Sequence, residues 1–342
     1  MTIKINNGEF IFLCCNDGNL DLLKYEIKVK YPYLNLGYSC GRFLTYKTTK
    51  DISSNEIDLV FTTRWAKSIK KVSKKQLLSQ EINFPDLTAH SLHYYSLLEN
   101  ERLDDEVSAF WGKVNTLNTE NELYYNIVQV KTDEFWLGVH AKEQKCADFP
   151  NSNPQISLPE ESPSRAYLKL AEAVHLFNIS LSENQKWLEL GSAPGGASYF
   201  LLQNKALVWG NDPAEMSPLC ALNKKFIHIK KPVQHVTPCE IPTDIEWISV
   251  DLNLNPKQSL MEVFRICRNL RFLKGMLVTV KIVNLEHVEY VQDNINWARD
   301  RGFDNVIAIQ LPSHKREYLL LLLNQSAPKK IRLPSNKIQT LV

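Results

Sequence analysis

The hydrophobic and polar positions in the second half of the chain follow two alternating rhythms. Short apolar runs predict buried strands at KWLEL, ALVWGN, IEWISVDL, MLVTVKI, NVIAIQL and EYLLLLL. Between several of them, GGASYFLLQN, QSLMEVFRICRNLRFL and LEHVEYVQDNINWARDRG have a helical period. Strands that alternate with helices predict a mostly parallel sheet covered on both faces. Only PSHKR separates the last two strands, which is too short for a crossover helix, so the last strand should run antiparallel.

The first half of the chain mixes both patterns without this alternation. EFIFLCC, RFLTYKTT, NELYYNIVQVKT and EFWLGVHAK predict strands, and NLDLLKYEIKVKY predicts a helix with Asn19 as its candidate cap. The stretch ADFPNSNPQISLPEESPS, rich in proline, serine and asparagine, predicts a linker. We therefore expect a smaller α+β region over residues 1–146, a linker over 147–163, an α/β domain over 164–328 and a tail over 329–342.

Composition narrows the class of protein. The length of 342 residues favours two domains, and the 44% apolar and 23% charged residues are typical of soluble globular proteins. Seven cysteines without a C-x-x-C pair indicate reduced thiols in a cytoplasmic protein, with no disulfide framework and no metal site. The start MTIKINNGEF has no secretory pattern, and the longest apolar run, Tyr318–Leu323, is far too short to span a membrane. The net charge of +2 does not identify a partner.

A glycine-rich turn follows the first strand of the second half. The stretch LGSAPGG, Leu190–Gly196, holds three of the chain's 12 glycines, and a helical pattern comes directly after it. Such a turn lets the backbone approach a ligand closely beside the free N–H groups of a helix. Asp212 follows the next strand, where an acid can bind a ribose diol. The combination predicts a nucleoside-bearing cofactor, and the alternative is a structural turn with a solvated aspartate.

Charged residues lie at the ends of other predicted strands. Asp251 closes IEWISVD, Lys281 closes MLVTVK, and Glu317 opens the antiparallel EYLLLLL. Lys169 borders the apolar stripe of the helical segment SRAYLKLAEAVHLF. Taken singly, each could be a solvated charge or a lysine that reaches water. Together they should meet at the carboxyl edge of the sheet, where ligands bind in open α/β folds.

These residues resemble a known family. Lys169, Asp251, Lys281 and Glu317, with LGSAPGG and SRAYLKL, resemble the Lys-Asp-Lys-Glu tetrad and cofactor loop of the FtsJ-type ribose 2′-O-methyltransferases. SPSRAYLKLAEA, IEWISVDLNLNP and HKREYLLLLL resemble those members that methylate a cytidine of bacterial 23S rRNA. The resemblance implies a Rossmann-like fold, S-adenosyl-L-methionine as cofactor and these four residues as the catalytic set. It assigns the cofactor contacts to Gly191, Ser192, Pro194, Gly195, Gly196, Asp212 and Asp251.

The resemblance extends more thinly to the first half, and the second half departs from it in two places. FTTRWAKSI resembles a fragment of the RNA-binding THUMP region of those enzymes. The stretch IHIKKPVQHV offers no carboxylate for the adenine side of the cofactor, so that contact stays unassigned. Glu189 stands where the family usually has aspartate.

Methyl transfer to a ribose requires removal of the proton from a weakly nucleophilic 2′-hydroxyl. Lys281 is the candidate base. Burial and the neighbouring Lys169 would lower its pKa, whereas Asp251 and Glu317 would raise it, and the sequence does not give the balance. The alternative is that Lys281 orients and polarises the hydroxyl.

A basic run in the first half predicts an RNA contact. Residues 61–80 hold six basic residues and no acid, and the lysine spacing favours one face of a helix. The alternative is a solvated face. The predicted RNA-binding residues are Arg64, Lys67, Lys70, Lys71, Lys74 and Lys75, with the tail residues Lys329, Lys330 and Arg332 as a further basic segment.

Three functions are compatible with these patterns. The first is 2′-O-methylation of 23S rRNA, the second is the same chemistry on a tRNA or an mRNA cap, and the third is a non-catalytic RNA-binding protein of the same fold. We expect a monomer with RNA as its partner and with neither DNA nor a membrane. The intact tetrad favours the two enzymes over the third function.

Overall fold

The computed structural model describes residues 2–79, 82, 84, 90–98, 103–112, 114–116 and 122–324. The predicted tail at 329–342, with its basic segment, lies outside these residues. The chain forms two compact units. One consists of Met1–Gln155 with Ile309–Lys315, and the other of Ile156–Ala308 with Arg316–Val342.

The first unit is built on a seven-stranded sheet. Its helices are α1 (Leu20–Lys30), α2 (Lys74–Leu77) and α3 (Asp104–Trp111). Its strands are β1 (Lys4–Ile5), β2 (Phe10–Cys14), β3 (Leu34–Cys40), β4 (Phe43–Thr48), β5 (Ile52–Ser53), β6 (Arg64–Val72), β7 (Ser91–Ser96), β8 (Leu123–Lys131) and β9 (Glu134–Ala141). The sheet order is β3-β4-β2-β6-β9-β8-β7, and β1 pairs with β5 separately.

The helix predicted for the basic run is wrong. Residues 64–72 form β6, which pairs with β2 on one side and β9 on the other, and only Lys74–Leu77 is helical. Trp65, Ala66 and Val72 are buried in this strand. Pairing on both edges and burial outweigh the helical spacing of the lysines, because the preference for a strand depends on the neighbours it packs against. A bulge between Ser68 and Lys70 interrupts the alternation of the strand.

The segment predicted as a linker, 147–163, contains the passage between the two units at Gln155 and Ile156. Its first part packs on the first unit, where the buried guanidinium of Arg64 donates to the carbonyls of Cys146 and Phe149 at 2.7 and 2.9 Å. Residues 309–315 also belong to the first unit. The side-chain amide of Asn16 donates to the carbonyls of Leu311 and His314 and so binds this segment to it.

The second unit is an α/β layer structure. Its helices are α4 (Ala166–Leu176), α5 (Gly196–Gln203), α6 (Pro218–Ala221), α7 (Pro256–Cys267) and α8 (Tyr290–Asp300). Its strands are β10 (Lys186–Leu190), β11 (Leu207–Asn211), β12 (Phe226–Ile229), β13 (Trp247–Val250), β14 (Gly275–Lys281), β15 (Asn305–Ile309) and β16 (Glu317–Leu323).

The order of this sheet is β12-β11-β10-β13-β14-β16-β15. The pairs from β12 through β14 are parallel, and β16 runs antiparallel to β14. The prediction of a mostly parallel sheet with an antiparallel last strand is therefore confirmed. Since the sheet order reverses beside β10, the loops after β10 and β11 open at the carboxyl edge where ligands bind in such folds.

Candidate active site

Four charged residues meet at the carboxyl edge of the second sheet. Asp251 follows β13 directly, and Lys281 is the last residue of β14. Glu317 is the first residue of β16, and it pairs in register with Lys281 because the two strands are antiparallel. Lys169 reaches the same place from α4, whose Leu170, Ala171, Ala173 and Val174 are buried.

The four side chains form a closed ring of alternating charge. Lys169 Nζ lies 2.8 Å from an oxygen of Asp251 and 2.8 Å from an oxygen of Glu317. Lys281 Nζ lies 3.0 Å from Asp251 and 3.4 Å from Glu317. Two ammonium and two carboxylate groups leave the ring neutral, which offsets the cost of burying each charge. The structure thus brings together all four residues that the sequence analysis grouped.

Lys281 is the member of the ring that solvent reaches best. Its side chain is 29% exposed, against 19% for Lys169 and 9% for Glu317. Its contacts with both carboxylates are also the longer ones of the ring. A substrate at this edge therefore meets the amine of Lys281 before that of Lys169.

The pKa values of the ring residues follow from burial and from the neighbouring charges. Burial lowers the pKa of Lys281, but Asp251 and Glu317 outweigh this effect and hold the pKa above its ordinary value. Burial raises the pKa of Asp251, whereas Lys169 and Lys281 more than compensate and hold it below its ordinary value. Lys281 is therefore charged at neutral pH. The sequence left open whether burial or the carboxylates decide its pKa, and in the structure the carboxylates do.

The glycine loop lies beside the ring. A Cβ atom at Gly191 would lie 2.4 Å from the carbonyl oxygen of Asp251, so the loop approaches the end of β13 more closely than any other residue would allow. A Cβ atom at Gly195 would lie 2.7 Å from Cys220 Sγ, and the φ angle of Gly195 is +119°. Both positions require glycine for the backbone path itself. Gly196 begins α5, and a Cβ atom there would lie 2.6 Å from the carbonyl oxygen of Ser164.

The other predicted cofactor residues fall into two groups. Pro194 is exposed on the loop, and Asp212 is partly exposed directly after β11. Asp212 accepts from the backbone N–H groups of Ala193 at 3.2 Å and Ala214 at 2.9 Å, so it fixes the loop on which it borders. Ser192 is buried, and its hydroxyl lies 3.5 Å from Met216 Sδ. The side chain of Ser192 is therefore engaged inside the protein.

Glu189 is buried one residue before the end of β10. The hydroxyl of Ser198 in α5 donates to its carboxyl group. Burial raises the pKa of Glu189 to about 8, although the Ser198 hydrogen bond acts in the opposite direction. The side chain is thus a neutral acid at neutral pH, and it links β10 to the helix that follows the loop.

Three residues that support the loop were missed by the sequence analysis. Met216 and Cys220 pack against Gly195, and the Cys220 thiol donates to its carbonyl oxygen at 3.4 Å. Asn211, at the end of β11, donates to the carbonyls of Ile229 and Lys231 and so fixes the end of β12. A cysteine in a short helix, or a methionine in the loop before it, carries no sequence signal for such a contact, but an asparagine at a strand end is a recognisable candidate.

The predicted RNA-binding residues differ in their exposure and in their partners. Arg64 is 1% exposed, so its guanidinium is not available to a phosphate, and this part of the prediction is wrong. Lys70 and Lys75 are exposed. The remaining lysines form ion pairs, Lys67 with Glu9, Lys71 with Glu134 and Lys74 with Glu106.

Comparison with known proteins shows what the second unit is similar to. Residues 163–316 match the FtsJ-like methyltransferase family. Over these residues the chain is similar to the FtsJ-like methyltransferases, and we call this part the FtsJ-like domain. The match confirms the resemblance seen in the sequence, and it stops one residue before Glu317 of the ring.

The relatives of the FtsJ-like domain include several proteins named ribosomal RNA large subunit methyltransferase M. The protein from Edwardsiella ictaluri is 25% identical over 174 residues, which cover 48% of this chain and 46% of the relative. That from Cellvibrio japonicus is 30% identical over 174 residues, covering 42% and 49%. The chain thus spans about half the length of the curated relatives it matches.

Solved structures show a more distant likeness. A ribosomal RNA methyltransferase, putative, from Plasmodium falciparum is 16% identical with a TM-score of 0.38, covering 50% of this chain and 100% of the other. A putative hemolysin from Streptococcus thermophilus is 19% identical with a TM-score of 0.41, covering 53% and 76%. Among the described residues, no helix has the length and apolar character to cross a membrane, and no cluster of side chains suits a metal ion.

Proposed function

We propose that this protein transfers a methyl group from S-adenosyl-L-methionine to the 2′-hydroxyl of a ribose in large-subunit ribosomal RNA, at a cytidine. The observation that carries the proposal is the neutral ring of Lys169, Asp251, Lys281 and Glu317 beside a glycine loop. The FtsJ-like domain and the names of the relatives support the same reaction class.

The loop residues fit the proposed cofactor. Gly191 and Gly195 let the loop pack directly against Asp251 and against Cys220, where a side chain would not fit, and this close packing sets the backbone path beside the ring. Asp212, partly exposed at the end of β11, has lone pairs left beyond its two backbone contacts and accepts from the ribose hydroxyls. The cofactor supplies a methyl group already activated on a sulfonium, so the reaction needs neither a metal nor a covalent enzyme intermediate.

The ring positions the reacting hydroxyl. The ammonium of Lys281 donates to the 2′-oxygen and holds it in line for attack. Asp251 and Glu317 fix that amine at 3.0 and 3.4 Å, and Lys169 keeps both carboxylates in place. Most molecules carry Lys281 as an ammonium, which only orients the hydroxyl. Methyl transfer takes place in the fraction in which Lys281 has lost its proton, because the neutral amine can accept the proton of the hydroxyl.

The first unit supplies RNA binding in this proposal, in the manner of a THUMP-like region. The exposed Lys70 and Lys75 contribute attraction to phosphates that does not depend on sequence. The protein works as a cytoplasmic monomer, and the second unit provides the chemistry.

Incubation with cofactor carrying a labelled methyl group and with total RNA from cells lacking the protein tests the proposal. We expect label in large-subunit rRNA on one ribose, mapped as a nucleotide resistant to alkaline cleavage. Label on a base would contradict the reaction class. Label confined to tRNA or to mRNA caps would contradict the substrate.

A further inference from the structure

The first unit carries three aromatic side chains and three lysines at one end of its sheet. Phe10, Tyr38 and Trp136 provide the rings, and Lys47, Lys71 and Lys131 the amines. We call this set the mouth cluster. The reaction of the second unit uses none of these residues.

The mouth cluster exists because the sheet is strongly curled. Tyr38 in β3 and Trp136 in β9 are four strand steps apart in the sheet order, which is about 19 Å in a flat sheet. Yet their rings stack with centroids 5.7 Å apart and an angle of 28°. The face between them is therefore concave, and Phe12 and Phe43 are fully buried inside it.

Each amine of the mouth cluster lies close to an aromatic ring. Lys71 Nζ is 5.4 Å from the ring centroid of Tyr38 and 5.7 Å from that of Trp136. Lys131 Nζ is 5.5 Å from the ring of Tyr38, and Lys47 Nζ is 6.0 Å from that of Phe10. The three lysines are exposed, so their charges face solvent.

One carboxylate holds this arrangement in place. Glu134 accepts from the Tyr38 hydroxyl at 2.8 Å and from Lys71 at 2.8 Å, with Lys131 at 3.5 Å. The mouth cluster holds the three ammonium groups of Lys47, Lys71 and Lys131 and the one carboxylate of Glu134. Its net charge is therefore +2. The cluster is thus pre-organised, yet it retains charge for an anionic partner.

Phe10 is the most accessible ring of the mouth cluster. It is 39% exposed, and it lies over β3, where a Cβ atom at Gly37 would come within 2.9 Å of the ring. An exposed apolar ring beside amines matches the pattern of surfaces that bind single-stranded nucleic acid, on which bases stack while lysines contact the phosphates. Paired bases are already stacked and cannot use such a ring.

We infer that the mouth cluster binds an unpaired segment of the RNA, with a base stacked on Phe10 and phosphates at Lys47, Lys71 and Lys131. The inference rests on the proposed function, because it assumes that RNA is the substrate. It places the RNA contact on strands β2, β3, β4, β6, β8 and β9.

Fluorescence anisotropy with the full-length protein and a labelled 12-nucleotide single-stranded RNA tests the lysines. The triple variant Lys47→Gln, Lys71→Gln and Lys131→Gln should flatten the slope of log K against log salt by about 2, since each lost phosphate contact removes ~0.7. The control variant Lys24→Gln, Lys28→Gln and Lys50→Gln removes the same charge from the same unit. Equal losses in both variants would overturn the inference.

A second comparison tests the stacking. Phe10→Ser should weaken binding of the single-stranded RNA roughly tenfold and leave a blunt RNA duplex unaffected. Val29→Ser removes a comparably exposed apolar side chain, 47% exposed on α1, and should change neither. Unchanged binding in Phe10→Ser, or an equal loss with the duplex, would contradict the stacking role.

Ultraviolet cross-linking of wild-type protein to a 4-thiouridine RNA covers the case in which a variant fails to fold. We expect cross-links at Phe10, Tyr38 or Trp136, and cross-links elsewhere only would overturn the inference. Labelled methyl transfer to rRNA, measured in parallel, separates the two proposals. Transfer without binding at the mouth cluster refutes the inference alone, and binding without transfer refutes the proposed function alone.

Discussion

Lys281 and Glu317 are directly paired residues at the ends of two antiparallel strands, with their charged atoms 3.4 Å apart. The register of β14 and β16 fixes the backbones of both residues. The sheet therefore determines where the Lys281 amine can lie. Glu317 is 9% exposed and also contacts Lys169, so it cannot turn away from the amine without leaving a charge buried. The candidate base is therefore held at the end of two paired strands that both lie inside the sheet.

Replacement of Lys281 should remove the reaction and leave cofactor affinity unchanged. In the proposed reaction Lys281 acts on the hydroxyl and not on the cofactor, so Lys281→Ala should affect the transfer of the methyl group and not the binding of the cofactor. We expect a loss well beyond tenfold in the rate of methyl transfer, or more than ~1.4 kcal/mol. Single-turnover rates and calorimetric cofactor titration measure the two quantities. A variant that keeps a tenth of the wild-type rate would require another base.

The pH dependence of the rate should reflect the raised pKa of Lys281. Burial lowers the pKa of Lys281, but Asp251 and Glu317 outweigh it and hold this pKa above its ordinary value, so the deprotonated amine is a minor species at neutral pH. The rate should rise about tenfold per pH unit across the neutral range without levelling off. In Glu317→Gln one of the charges that raise the pKa is gone, so the profile should move to lower pH. A plateau below pH 8 in the wild type would contradict this role of Lys281.

Valine in place of Gly195 should abolish cofactor binding while the sheet stays folded. The position has a φ of +119°, and a side chain there would collide with Cys220 and Met216 on one side of the loop. Calorimetry should show no binding, and circular dichroism should show the wild-type content of strands. Gly302→Val provides the control, since that glycine also has a positive φ, +98°, but lies in open space far along the chain. Wild-type affinity in Gly195→Val would remove the loop from the cofactor site.

Glu189 should make the stability of the protein depend on pH. Its pKa is about 8 in the folded protein and about 4.5 in the unfolded chain, so the unfolded state loses its proton first as the pH rises. The contribution of Glu189 to stability is thus complete below pH 4.5 and is lost as the pH rises towards 8. Glu189→Gln should flatten this part of the curve of melting temperature against pH. An unchanged curve would mean that the carboxyl group is ionised in the fold.

The site was more predictable from the sequence than the first unit. Asp251, Lys281 and Glu317 lie at the ends of apolar runs, and the edge at which such ends meet follows from the parallel order of the strands alone. The balance of charges on Lys281 was not predictable, because it depends on distances of 3.0 and 3.4 Å to two carboxylates.

In the first unit, the prediction failed where pairing with strands distant in sequence determines the local structure. The lysines from Lys67 to Lys75 have helical spacing. Most of this segment nevertheless forms a strand, because it pairs with β2 on one side and β9 on the other. The strands β3 and β7 were missed, since YLNLGYSC and SLHYYS mix polar and apolar residues without a clear period. The contact between Tyr38 and Trp136 depends on the curl of the whole sheet, which no local pattern encodes.

The return of residues 309–315 to the first unit has a consequence for synthesis on the ribosome. Domains generally fold as units during synthesis, the N-terminal one first. Here Asn16 finds the carbonyls of Leu311 and His314 only after most of the FtsJ-like domain has been translated. The hydrogen bonds of Asn16 are therefore among the last contacts within the first unit that synthesis makes available.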